Sequence, residues 1–171
     1  MGREQSAASG PWRKLAFVLL TLTYFVCFNW DGLWAQFAAD DMMNMAFYWR
    51  LAPIRILLDL FMPWRGAYRP IASFFYLPLL QCFGLNPVPY HAAMLGILLG
   101  NLYLVYRFAW RIGCAELQAG LATLTVAYHA GLSVLYYSTA FIYDVLCFSF
   151  YMSAFLCYAR VRAQGRLLRG G

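Results

Sequence analysis

The sequence predicts an all-α integral membrane protein, and three observations carry that prediction. Hydrophobic residues fill 63% of the 171 positions and charged ones only 12%, against roughly 25% charged in an ordinary soluble domain. The shortage is concentrated in four apolar runs, at about 12–30, 90–108, 117–137 and 139–158, each long enough to cross a bilayer as a helix. Between the first two runs, residues 31–89 collect Asp31, Asp40, Asp41 and Asp59, Arg50, Arg55, Arg65 and Arg69, and Trp34, Trp49 and Trp64. Charge interleaved with amphipathic rings suits the headgroup zone of a membrane. The expected architecture is a single membrane domain over 1–171, with four transmembrane helices and a long outer loop carrying two juxtamembrane amphipathic helices.

Taken in order, residues 1–14 are polar and basic (Arg3, Arg13, Lys14) and the first span follows from Trp12 to Trp30. At 1.5 Å per residue it reaches about 28 Å. It reads as a retained anchor, because the bulky residues from Phe28 to Phe37 suit a signal-peptidase site poorly. In the loop, Asp41 to Leu51 predicts one short amphipathic helix. A second is expected to start near Pro53 and end before Pro63, with Arg55 and Asp59 spaced to pair across one turn. The run IASFFYLPLLQCF (71–83), broken by Pro78, is too short to span and should dip into the interface or pack on the bundle. In the second span Ala92, Gly96 and Gly100 recur every four residues, a small-residue face suited to close helix packing. The third span carries His129 and the fourth Asp144.

The net charge of +6 does not form a stripe. Basic residues stand at the ends of the apolar runs (Arg107 and Arg111, then Arg160, Arg162, Arg166 and Arg169), where orientation signals belong. Nucleic-acid binding is therefore not expected. Both termini should lie in the cytoplasm and loop 31–89 outside a cell membrane of bacterial inner-membrane type. Cys27, Cys82, Cys114, Cys147 and Cys157 show no C-x-x-C spacing, so neither a metal centre nor a disulfide framework is expected.

Ionisable residues inside a membrane are functional candidates by default, which singles out His129 and Asp144. Their bland reading is a bond to each other or to backbone groups that locks two helices together, and Asn101 reads as an interhelical hydrogen bond. The Asp40-Asp41 pair stands at the water–membrane boundary just before a surface helix. It can cap that helix and complement its dipole. Alternatively it supplies a general base, or a carboxylate that holds a divalent cation beside an anionic lipid headgroup.

The order of these features resembles the N-terminal part of a GT-C type membrane glycosyltransferase, of the protein O-mannosyltransferase-like, tetratricopeptide-linked branch. The matching residues are Asp40-Asp41, Tyr68-Arg69-Pro70, Phe83-Gly84-Leu85-Asn86-Pro87, Tyr90-His91, and His129 followed by Asp144-Val145-Leu146. The chain departs from the family pattern at Met94 and Leu98, at Ala130 and at Ile142. The resemblance implies transfer of a sugar from a polyprenyl-phosphate donor to a hydroxyl on a protein or glycan acceptor, with inversion. It implies Asp40 as the base, Asp41 as its orienting partner or an ion ligand, Arg69 as a candidate to stabilise charge on the departing phosphate, and His91 as a phosphate contact or a residue that supports one. The family's module has more spans than are found here, so the chain is expected to be part of a larger one. The rival expectation is a non-catalytic scaffold or assembly partner in which the polar residues only set helix packing.

Overall fold

The computed structural model describes residues 11–49, 54–55, 58 and 71–169, and every regular element among them is helical. α1 (Pro11–Phe28) is followed by a single turn, α2 (Trp30–Leu33), and then α3 (Ala39–Trp49). The expected second surface helix and its Arg55–Asp59 pair fall outside the described residues except at Ile54, Arg55 and Leu58. α4 (Ile71–Phe83) continues through Pro78 and packs on the bundle by burying Ala72, Ser73, Phe75 and Tyr76. α5 (Pro87–Arg111) begins with the Asn86 side chain accepting from Val88 N at 3.2 Å and Pro87 in the first turn, a strong start signal. It ends where Gly113 takes φ +102°, with Cys114 N bonded to Ala109 O and Gly113 N to Trp110 O. That double bond closes the last turn and requires a residue tolerant of positive φ. α6 (Glu116–Ala127), a 3-10 turn (Ala130–Leu132), α7 (Val134–Tyr137) and α8 (Ile142–Arg169) complete the chain.

The expectation of four spans is met in part. Among the described residues two helices are long and apolar enough to cross a membrane, Pro87–Arg111 and Ile142–Arg162. A third span exists if α6 and residues Ala130–Tyr137, bent by 53° at their junction, count as one broken crossing. The break falls at His129, whose backbone is extended (φ −69°, ψ 122°) and whose ring caps the following turn. An uncharged run hides such a break from hydropathy. The apolar part of the first run, Leu15–Phe28, is a shorter helix, since the chain turns at Asn29. The last span starts at Ile142, after Ser138–Phe141 have left the helix.

α5 and α8 run in the same direction. Asn101 meets Val145 and Ser149, and further along Phe108 meets Phe155. α1 and the α6–α7 pair share the opposite direction, with Phe17 under Gly120 and Phe25 against Tyr136. The best-packed core gathers where α5 and α8 begin: Phe25, Met45, Tyr76, Tyr90, Met94 and Ile142 are each at most 1% exposed. Elsewhere the helices stay uncovered. Only 28% of the spanning window of α5 and 17% of that of α8 is buried, so large side chains such as Tyr103, Phe150 and Tyr151 face outward. Apolar exposure of this extent is compatible with a membrane around these helices or with further helices packed on them. The small-residue face predicted for close packing is among the uncovered ones: Ala92, Gly96 and Gly100 are exposed, and a Cβ at either glycine would meet nothing within 4 Å. α5 packs instead through Tyr90, Met94, Leu98, Asn101 and Leu102.

Candidate functional site

The acidic pair opens α3, and its two members have opposite environments. Asp40 is exposed and without a partner among the described residues. Asp41 is fully buried. One carboxylate oxygen, Oδ2, accepts from Ala38 N at 2.9 Å, the reach-back from the first turn that satisfies an otherwise free amide at the helix start. The other, Oδ1, accepts from Ser138 Oγ at 3.1 Å and from Thr139 Oγ1 at 2.9 Å. Those hydroxyls stand in the connection between α7 and α8, so Asp41 ties the surface helix to the far half of the chain. All three donors are neutral, and a carboxylate with several well-placed donors tolerates burial that an unpaired one does not.

The tie continues outward. Tyr76 of α4 donates to Thr139 O at 2.9 Å. Burial raises the Tyr76 phenol well above its ordinary value, and the neighbouring Asp41 charge adds to the rise, so the phenol remains a neutral donor. Tyr143 of α8 donates to Asn44 Oδ1 at 3.1 Å, and its hydroxyl lies 3.3 Å from that of Tyr48. The Tyr48 and Tyr76 rings stack with centroids 6.0 Å apart. Three elements (α3, α4 and the start of α8) are thereby held in one polar cluster.

The other predicted site residues are scattered. His91 is 3% exposed in the first turns of α5 and stacked on Phe37 at 6.5 Å; the Ala35 backbone lies near its ring, but among the described residues neither ring nitrogen makes a hydrogen bond of good geometry. Arg69 lies outside the described residues. Asn101 donates to Val145 O at 3.0 Å and accepts from Ser149 Oγ at 2.6 Å, joining α5 to α8. The expected His129–Asp144 bond is absent among the described residues, and of the two alternatives His129 takes the one to a backbone group. The His129 ring turns back on its own turn, Nδ1 accepting from Gly131 N at 3.1 Å. Asp144 sits exposed in the first turn of α8. There it borders an apolar cavity of about 250 Å³ lined by Phe25, Leu102, Val126, Leu135 and Phe148 among others.

Sequence reasoning missed Ser138, Thr139, Tyr76, Asn44 and Tyr143. The one available signal was the Ser-Thr doublet at the seam between two apolar runs, where hydroxyls commonly turn the chain. Among the described residues no three His, Cys, Asp or Glu side chains gather as metal ligands. No protein-family model, no curated protein and no solved structure matches the chain.

Proposed function

We propose that this chain is a membrane glycosyltransferase, or part of one, that moves a sugar from a polyprenyl-phosphate donor to an acceptor hydroxyl at the outer face of a cell membrane, with α1 and the bent α6–α7 pair completing four crossings so that both termini are cytoplasmic. The observation that carries the reading is the division of labour in the acidic pair. Asp41 is committed to three donors and holds the start of α3 in place, which leaves Asp40 on the rigid helix start as an exposed carboxylate. A general base must be both positioned and reachable, and Asp40 combines the two. Asp41 is then a positioning residue. Arg69 is the candidate for the phosphate of the donor, by charge-assisted hydrogen bonds. Buried in α5, His91 fits a supporting role better than a direct contact to phosphate.

A second reading, a scaffold or assembly partner without catalysis, is favoured by the uncovered face of α5 at Gly96 and Gly100, a surface on which a further helix can pack. One assay separates the two. Sugar transfer from polyprenyl-phosphate donor is measured in membranes, with the chain expressed within whatever longer reading frame carries it. Asp40→Asn should abolish transfer while leaving insertion and donor binding intact, since Asn keeps the shape but accepts no proton. Undiminished transfer in Asp40→Asn would remove the base assignment, and no transfer by the unsubstituted protein would leave the scaffold.

A further inference from the structure

The apolar cavity of about 250 Å³ beside Asp144 lies in the crook of the α6–α7 bend: Val126 lines it before the 53° break and Leu132 and Leu135 after it. α1 contributes Phe25, and α5 and α8 close the other sides. Asp144 and Phe148, one turn apart on α8, are exposed, whereas the other lining residues are buried or half-buried. The mouth therefore lies along that edge of α8. The polar side chains of the wall are already engaged. Asn101 donates to Val145 O and accepts from Ser149 Oγ, and Tyr136 donates to Ala127 O at 2.9 Å. What remains is the Asp144 carboxylate at the rim, unpaired among the described residues.

Two kinds of guest do not suit such a space. An apolar cavity stays dry, and a compact polar ligand needs several convergent hydrogen-bonding groups, which this wall does not offer. A hydrocarbon chain does suit it. α5 and α8 are the helices fit to cross a membrane, and Asp144 stands just inside the window that starts at Ile142, at the border with the headgroups. From Leu98 to Val105 the wall follows α5 for about 10 Å, room for the first part of an acyl chain. We infer that this cavity holds one acyl chain of a membrane phospholipid whose head bears an ammonium group, with the ammonium resting on Asp144. Charge selects the lipid. The carboxylate attracts an ammonium and repels an anionic head, the polyprenyl phosphate of the proposed reaction included. The inference rests on the membrane part of that reading alone, so it stands or falls apart from sugar transfer.

Photolabelling tests it. The chain is reconstituted in phosphatidylglycerol vesicles that contain a minor fraction of a lipid with a diazirine on its acyl chain. The head of that probe is phosphatidylethanolamine in one arm and phosphatidylglycerol in the other, and the adducts are mapped by mass spectrometry. Adducts at Leu102 and Leu135 should form roughly two- to fivefold more with the ammonium-headed probe, the range that an exposed ion pair supports. The outward Tyr103 and Tyr151 should label alike with both. Asp144→Asn should remove the preference at Leu102 and Leu135. Val105→Trp, which fills the cavity, should lose the adducts there and keep those at Tyr103 and Tyr151. Equal yields from the two probes at Leu102 and Leu135, no adducts there with either, or a preference that survives Asp144→Asn would overturn the inference.

Discussion

The cluster around Asp41 and the residues His129 and Asp144 make an instructive pair. The sequence marked His129 and Asp144 for a bond, because two ionisable residues in apolar runs have few other ways to offset burial. In the structure both are exposed, on different turns, and His129 satisfies itself locally through Gly131. Asp41 looked like one of two interchangeable surface carboxylates. It is the buried one, with donors from 97 and 98 residues away. Burial, not proximity to a membrane run, decides which polar group must find a partner.

Substitutions can break or sharpen that contrast. Beside the Asp41 substitution taken up last, a large effect is expected where α2 meets the backbone of Tyr136. A Cβ on Gly32 would stand 2.4 Å from Tyr136 O and 3.1 Å from its carbonyl carbon, both backbone atoms that cannot swing aside. Gly32→Ala should therefore destabilise the protein by about 1–3 kcal/mol, seen as a lower Tm in detergent. A smaller effect depends on pH. Tyr76 is held neutral by burial, so its folded value lies above the unfolded one of 10.0. The stability it contributes is complete below pH 10 and is lost as pH rises beyond it, because the unfolded chain releases the proton first. Tyr76→Phe should flatten the fall in Tm above pH 10, and an unchanged slope would show that the phenol is not shielded. Smallest of all, His129→Ala and Asp144→Ala should each change stability by no more than about 0.5 kcal/mol. Their effects should add, and a measurable coupling would restore the bond that the structure lacks.

Much of the fold was readable from the residues. Charge at the ends of apolar runs located α5 and α8, although α5 begins at Pro87, ahead of the expected residue 90. The apolar run around Pro78 was correctly kept from spanning, since α4 buries only one side. The bend at His129 was not readable, because hydropathy over 117–137 is blind to backbone direction and the cue, a His two residues before a Gly, is local. The roles within the acidic pair were not readable either. Neighbouring residues on a helix point about 100° apart, and which of them faces inward depends on a Ser-Thr connection far along the chain. The same limit applied to Ala92, Gly96 and Gly100, whose spacing makes a packing face without stating whether this chain covers it.

The claim on which the account rests is that Asp41 holds the fold while Asp40 is free of it. Side-by-side thermal melts of Asp41→Ala and Asp40→Ala in detergent test it without any knowledge of substrate. Removing the Asp41 carboxylate strands three donors and should cost roughly 2–4 kcal/mol by the usual penalty for unsatisfied buried groups. Asp40→Ala should stay within about 0.5 kcal/mol of the unsubstituted protein, as a surface change does. Equal losses in the two variants, or a larger loss in Asp40→Ala, would contradict the division of roles and with it the choice of Asp40 as the base.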